Sequence, residues 1–148
     1  MTSYDIRHEV GIKASPDAVY QALTDVKKLA GWWTSDTRGE SKIGGELEFW
    51  FGKFCQKFDV TALTPSQLVR WKAKAGGADE WTGTEVSFAL DEGKDQCIVH
   101  FTHGGWADNS KMYPHCSTKW AVFMLSLKDL LEKGKGRPAP NDVQIIHR

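Results

Sequence analysis

The sequence has little cysteine and no net charge. Its three cysteines, Cys55, Cys97 and Cys116, are odd in number and far apart. They form neither a C-x-x-C pair nor a zinc-type spacing with histidine. The 19 basic and 19 acidic residues cancel, so we expect no overall attraction to nucleic acid or to an anionic membrane. These features predict reduced core cysteines, no metal, no cofactor and no nucleic-acid partner.

Long apolar runs are also missing. No run approaches the roughly 18 residues of a membrane span, and no basic stretch followed by an apolar one marks an export signal. We therefore expect a cytoplasmic protein without membrane insertion. The 148 residues suit a single domain with a substantial core. We predict one domain over residues 1–134 and a loosely held tail over residues 135–148, which is rich in Gly, Pro and polar side chains.

Aromatic residues, in contrast, are abundant. Seven tryptophans and seven phenylalanines exceed what a plain helical bundle of this length needs. Bulky rings suit curved sheets and ligand cavities. The surplus is the main compositional indication of function.

A long amphipathic helix is predicted over residues 114–133. Pro114 is acceptable in a first helical turn, and Gly134 can supply the left-handed residue that ends the helix. Val122 and Leu125 fall outside the main apolar stripe, and this extra apolar surface permits a homodimer. The stripe has three- and four-residue spacing and consists of Cys116, Trp120, Phe123, Met124, Leu127, Leu130 and Leu131.

The N-terminal third predicts one strand and two short helices. Residues 4–12 alternate between apolar and polar, which indicates a half-buried strand. Ser15 and Pro16 are typical of a helix start. A second short helix is predicted over residues 26–31, and it leads into the pair Trp32-Trp33, whose adjacent rings we do not expect to face the same core.

The middle of the chain predicts antiparallel strands. Residues 34–45 are polar and glycine-bearing, so we expect a loop there. Short turn-rich connections make successive strands antiparallel, and each strand has one apolar face. The order predicts an α+β fold in which a curved antiparallel sheet of six to seven strands wraps around the C-terminal helix and leaves space between them. The later strands are predicted at residues 46–51, 54–63, 67–75, 80–90 and 96–102.

Several short motifs occur in the same order as in a known superfamily. They are Ala14–Tyr20 (ASPDAVY), Trp32-Trp33, Gly44-Gly45, Pro65–Trp71 and Thr102–Trp106 (THGGW). With Trp120 and Leu127 in the last helix, the chain resembles the SRPBCC or START-like superfamily. Within it, the chain is similar to the polyketide cyclase group and to bacterial proteins related to the activator of the ninety-kilodalton heat-shock-protein ATPase.

The resemblance implies a helix-grip fold with an internal cavity. In relatives this cavity holds lipids, sterols, polyketides or other apolar molecules. Some relatives are cyclases or hydrolase-like enzymes, some carry ligands, and the eukaryotic activators bind a chaperone.

The candidate site is therefore a cavity for a small apolar or aromatic ligand. Good ligand pockets are apolar with a few polar groups. The alternative is that the same rings simply fill the core. The predicted ligand-binding residues are Trp33, Phe49, Phe51, Trp71, Phe88, Phe101, His103, Tyr113, Trp120, Phe123 and Met124.

His103 is the one weak catalytic candidate. It shares a strand face with Phe101 and could be the polar group of the cavity or a general base, although a lone buried histidine is more often only hydrogen-bonded. His100 and His103 should point to opposite faces, which excludes joint metal binding. Ligand binding is our first functional hypothesis. The alternatives are a cyclase, dehydratase or hydrolase that uses the cavity, and a chaperone-ATPase-activator-like interaction module.

Overall fold

The computed structural model describes residues 3–146. In these residues, seven strands form one antiparallel sheet with the order β1-β7-β6-β5-β4-β3-β2. Register shifts in β1 and β4 mark irregularities of the kind that bend a sheet. The strands are β1 (Tyr4–Ile12), β2 (Asp36–Gly39), β3 (Glu46–Phe51), β4 (Phe54–Thr64), β5 (Leu68–Ala73), β6 (Glu85–Gly93) and β7 (Gln96–Trp106).

In the described part of the chain, three α-helices accompany the sheet: α1 (Pro16–Thr24), α2 (Val26–Leu29) and α3 (Met112–Lys133). The Ser15 hydroxyl caps α1 by accepting from the backbone N–H of Ala18 at 3.1 Å. Gly134 ends α3 in the left-handed conformation, with φ of 83°. These ends agree with the predictions, except that α3 begins two residues earlier than Pro114.

The inner face of the sheet is apolar because each strand alternates. In β7, Cys97, Val99, Phe101 and His103 are all buried, whereas the intervening residues are partly exposed. The α3 stripe packs against this face, and its residues from Cys116 to Leu127 are buried. The predicted helix-grip fold, with two short helices after the first strand, is confirmed.

Two strand predictions were wrong in detail. The segment predicted as a loop contains the short edge strand β2, which pairs with β3 over four residues. Strand β6 begins at Glu85 rather than Glu80, because residues Asp79–Trp81 form a 3₁₀ turn. The loop prediction failed because β2 forms through backbone pairing with β3, which the local sequence does not show. The strand start was misplaced because the residues before Glu85 adopt a local turn.

The prediction that Trp32 and Trp33 cannot share a core was also wrong. Both rings are fully buried and stack on each other, with centroids 6.2 Å apart. They follow the end of α2 and lie in a turn, where their backbone N–H groups both donate to the carbonyl of Leu29. Because the two residues are not on a regular helix, their side chains need not point in different directions, as successive side chains on a helix do.

Residues 135–146, which we call the C-terminal segment, are held more firmly than predicted. Ala139 forms a parallel bridge with Thr34, and its N–H donates to the carbonyl of Trp33 at 2.7 Å. Ser126 of α3 accepts from the N–H of Arg137 at 2.8 Å. The expectation of a loosely held tail was therefore wrong for these residues, because the segment supplies hydrogen bonds to buried backbone. Residues 147–148 of the predicted tail lie outside the part of the chain that the structure describes.

Candidate functional site

An open cavity of about 280 Å³ lies between the first half of α3 and the β3–β4 hairpin. Six residues of α3 line it at helical spacing, so they come from one face. The hairpin and the 3₁₀ turn supply most of the rest. The lining residues are Trp33, Phe51, Phe54, Gln56, Ala78, Trp81, Met112, His115, Cys116, Lys119, Trp120 and Phe123.

Six aromatic rings make the cavity wall mostly apolar. Trp33 is central: its ring centroid lies 4.8 Å from that of Trp120 and 6.5 Å from that of Trp81. Phe51 and Phe123 contact Trp33 edge to face. Such rings favour apolar and aromatic guests, since offset and edge contacts with a further ring add to the gain from burial.

Gln56 is a polar group of the wall that is already satisfied. Its Nε2 donates to the carbonyls of Lys57 and Lys74 at 2.9 and 3.2 Å, and its Oε1 accepts from the N–H of Ala78 at 3.0 Å. It therefore fixes the segment that leads into the 3₁₀ turn. We infer a positioning role for Gln56, because its amide N–H groups are both used.

Lys119 is the charged group of the wall. Its ammonium pairs with the buried carboxylate of Asp142 and donates to the carbonyl of Val143 at 3.0 Å. It also lies 5.3 Å from the centre of the Phe123 ring. Because Asp142 already balances its charge, Lys119 does not make the cavity strongly attractive to anions.

Cys116 and Trp81 meet at the inner part of the cavity. Burial raises the pKa of the Cys116 thiol to about 11, although the neighbouring Trp81 indole acts in the opposite direction. Cys116 is therefore a neutral thiol and a poor nucleophile. The indole nitrogen of Trp81 is buried and has no well-formed hydrogen bond within residues 3–146.

Four of the predicted ligand-binding residues line the cavity: Trp33, Phe51, Trp120 and Phe123. The structure brings them together because the turn after α2 places Trp33 between β3 and α3. Whether a ligand contacts them stays a prediction.

The other predicted residues lie elsewhere. The rings and thioether that pack in the core without lining the cavity are Phe49, Trp71, Phe88, Phe101 and Met124. The Tyr113 hydroxyl donates to the carbonyl of Asp5 at 2.8 Å, so it ties α3 to β1. These side chains fill most of the space that the sequence assigned to a ligand.

His103 is fully buried and also lies outside the cavity lining. Its Nδ1 accepts from the indole N–H of Trp120 at 3.0 Å, and its Nε2 is 2.7 Å from the hydroxyl oxygen of Thr84. Burial lowers its pKa to about 3. It is therefore a neutral group with a hydrogen bond at each ring nitrogen, which is the structural role that a buried histidine usually has.

The sequence analysis did not predict several residues of the cavity wall, and only some of them have a sequence feature that could have identified them. Gln56 interrupts the apolar inner face of β4, which continues through Phe58 and Val60, and such an interruption can mark a special position. Trp81 lies in a turn-rich stretch and Phe54 lies at a hairpin turn. In such segments the sequence has no regular period, so it does not indicate whether a side chain faces the interior or the solvent.

Within residues 3–146, no group of three His, Cys, Asp or Glu side chains is arranged to hold a metal ion. Among the helices of this part of the chain, none is long and apolar enough to cross a bilayer.

A curved seven-stranded sheet around one C-terminal helix, with a cavity at one end, defines a helix-grip protein. The family described as Activator of Hsp90 ATPase homolog 1-like protein matches residues 13–132. The chain belongs to this family, which confirms the relationship to the SRPBCC superfamily that the sequence motifs suggested.

Solved structures support the same assignment. The Aha1 dimer from Colwellia psychrerythraea is 45% identical, with a TM-score of 0.84 over 90% of this chain and 99% of that one. CalU16 from Micromonospora echinospora is 20% identical, with a TM-score of 0.71 over 93% and 77% of the two chains. SSP2350 from Staphylococcus saprophyticus is 17% identical, with a TM-score of 0.76 over 90% and 95%. The last two show the shared fold alone.

The search of curated proteins gave no significant match.

Proposed function

We propose that this protein binds a small apolar or aromatic molecule in the cavity beside Trp120. The observation that carries the proposal is an open space of about 280 Å³ with six aromatic rings in its wall. Its few polar lining groups are the neutral thiol of Cys116, the satisfied amide of Gln56, the imidazole of His115 and the paired ammonium of Lys119. This composition suits recognition by ring contacts and burial.

The size of the cavity limits the affinity of a guest that is wholly enclosed. Burying about 150 Å² of apolar ligand surface gains about 4 kcal/mol, and association itself costs several kcal/mol. A ligand that binds tightly must therefore be more than one ring, and part of it must extend through the mouth. We expect two- or three-ring molecules and medium-length acyl chains to bind better than single rings.

Tryptophan fluorescence gives a direct test, because Trp33, Trp81 and Trp120 all line the cavity. Titration with a panel of fused-ring and acyl compounds, together with native mass spectrometry of the purified protein, should reveal saturable quenching and a retained small molecule. Cys116→Leu places extra volume in the cavity and should weaken binding at least tenfold. Cys97→Ala is the control, because Cys97 is buried in the core away from the cavity. Equal binding by the wild type and Cys116→Leu would contradict the proposal.

Catalysis in the cavity has less support. His103 is hydrogen-bonded at both nitrogens and does not line the space, so it is poorly placed to move a proton on a guest. A cyclase, dehydratase or hydrolase activity therefore stays an alternative without a catalytic residue.

Two partner proposals come from the comparisons. The Colwellia relative was solved as a dimer, which supports a homodimer for this protein. The family description supports chaperone contact as a second candidate function, and stimulation of a purified chaperone ATPase by this protein would test it. The cytoplasmic location stays a prediction.

A further inference from the structure

Exposed apolar side chains concentrate at the mouth of the cavity. Residues 3–146 expose six large apolar side chains, and two of them, Phe54 and Met112, line the cavity with 47% and 39% of their surfaces exposed. A third, Val143, is 43% exposed and accepts a hydrogen bond from the cavity residue Lys119 through its carbonyl. Two of the six therefore line one opening, and a third is bonded through its backbone to a residue of the same wall.

The backbone holds these groups outward. Gly52 and Lys53 form the tight turn between β3 and β4, and Gly52 has a φ of 67°, which favours glycine. Phe54 pairs with Phe51 across this turn, so both rings lie on the face that lines the cavity, and Phe54 is the more exposed of the two. Met112 is the first residue of α3, where no helical turn precedes it to cover its side chain.

The charges around the mouth are of both signs. Lys53 precedes Phe54, Lys111 precedes Met112, and Asp79 lies between the lining residues Ala78 and Trp81. All three charged residues are exposed, and none takes part in an ion pair with another described residue. An anionic membrane would attract the lysines but repel Asp79. A second copy of the same surface offers Asp79 to the two lysines and a lysine to Asp79.

We propose that this mouth surface is the homodimer contact, so that each copy closes the cavity of the other. The mouth surface consists of Phe54, Met112 and Val143 with Lys53, Lys111 and Asp79. The proposal rests on the homodimer and the ligand cavity proposed above, and it adds where the two copies meet. In a two-fold arrangement the same patch serves both copies, and lysines of one can approach Asp79 of the other.

The competing surface is the outer face of α3. Leu125 is 57% exposed there, but its apolar neighbour Val122 is partly buried, so the exposed patch is small. A stable interface buries about 800 Å² on each partner around a well-packed apolar centre. The mouth surface combines two large exposed apolar side chains that line an open cavity with the exposed Val143 beside Lys119, and it is therefore the better centre for an interface.

Closure of the cavity by the partner links ligand binding to dimerisation. A guest that extends through the mouth would contact Phe54 or Met112 of both copies. The ligand must then bind the dimer more tightly than the monomer, and by reciprocity it must tighten the dimer by the same factor.

Light scattering across a dilution series tests the contact without any ligand. The double variant Phe54→Ser/Met112→Ser should raise the dimer dissociation constant at least tenfold. Leu125→Ser is the matched control and should leave it unchanged. Circular dichroism of each variant checks the fold, which we expect to survive because all three side chains are exposed. A monomeric Leu125→Ser protein, a wild type that is monomeric at all concentrations, or a dimeric double variant would overturn the proposal.

Two further arms separate this inference from the ligand proposal. With anilinonaphthalene sulfonate as the probe, Leu125→Ser should bind as well as the wild type, whereas the double variant should bind more weakly because it loses both wall contacts and the partner. A dimer that depends on Phe54 and Met112 but takes up no probe or panel compound would support the contact and contradict the ligand function. Phosphatidylglycerol vesicles that sediment a monomeric wild type through Phe54 would identify a membrane as the occupant and overturn the contact between copies.

Discussion

At the residue scale, the proton on His103 can be placed from its partners. An indole N–H can only donate, so Nδ1 of His103 must accept from Trp120, and the proton of the neutral ring lies on Nε2. Nε2 then donates to the Thr84 hydroxyl, which donates to the carbonyl of Trp81 at 2.5 Å. This chain of hydrogen bonds connects α3, β7 and the 3₁₀ turn that borders the cavity.

Replacing His103 with alanine should therefore destabilise the protein. The change leaves a cavity in a packed core and removes partners from two buried groups, which together cost about 3 kcal/mol. Urea unfolding measures this cost. The control His100→Ala affects a partly exposed ring on the opposite face of β7, so it should cost less than about 1 kcal/mol. A catalytic His103 with no structural role would instead leave the stability almost unchanged.

The same burial predicts a pH dependence of stability. The unfolded chain has an ordinary histidine pKa of 6.5, whereas the folded protein has a pKa of about 3. Between these values the unfolded state binds a proton that the folded state does not. The contribution of His103 to the free energy of unfolding is therefore fully present above about pH 6.5. Below that pH it falls by about 1.4 kcal/mol for each pH unit, until about pH 3.

Urea unfolding between about pH 6.5 and about pH 5 isolates this effect, because most carboxyl groups stay ionised there. We expect His103→Gln to show a much smaller slope, since its amide cannot take up the proton. An equal slope in the variant and the wild type would assign the pH dependence to other groups.

At the scale of elements, α3 is held at both ends by different partners. Tyr113 at its start bonds to the backbone of β1. Near the other end, the hydroxyl of Ser126 donates to the carbonyl of Trp32 at 2.8 Å and accepts from the C-terminal segment. Lys119 and Asp142 add an ion pair between the helix and the same segment. The C-terminal segment thus positions Trp33 and Lys119, two residues of the cavity wall.

Asp142→Ala should loosen this segment. The Asp142 side chain is 6% exposed and that of Lys119 19% exposed, so the change leaves a mostly buried ammonium without its counter-charge. We expect a loss of about 2 to 3 kcal/mol, measured by urea unfolding, and faster hydrogen exchange at the N–H of Ala139. Asp36→Ala removes a solvent-exposed ion pair with Arg38 and should cause no measurable change. Equal effects of the two variants would mean that burial of the Lys119 pair is unimportant.

At the scale of the whole molecule, the aromatic surplus has two uses. Most rings pack against one another under the sheet, as in the group of Trp33, Phe49 and Trp71, whose centroids are 4.1 to 6.2 Å apart. Within residues 3–146, the cavity lies at the end near the start of α3. The cavity is therefore smaller and lies closer to the surface than a space along the whole helix would be.

This distribution of space predicts opposite effects for two matched substitutions. Cys116→Leu extends into existing space and should raise the stability by about 1 kcal/mol. Cys97→Leu adds the same volume to a packed core, where overpacking costs about 1 to 3 kcal/mol. Thermal unfolding of the two variants compares them. A destabilised Cys116→Leu protein would show that the space is smaller than the structure indicates.

Sequence patterns predicted the elements well because the elements depend on local chemistry. The alternation in β1, the Ser15 cap and the α3 stripe are properties of neighbouring residues, and each appears in the structure as expected. About a third of the predicted ligand-binding residues line the cavity, four of eleven. Five of the other seven are buried apolar residues, but a pattern of faces cannot distinguish a side chain that fills space from one that borders it.

The sequence alone therefore determined that a curved antiparallel sheet encloses a single C-terminal helix, because periodicity and turn residues specify which faces are buried. The tertiary structure alone decided where the interior is open, how Trp32 and Trp33 share one core, and how the C-terminal segment joins the cavity wall. These features depend on contacts between residues far apart in the chain. No local pattern records such contacts, because each depends on the volumes and hydrogen-bonding groups of several elements at once.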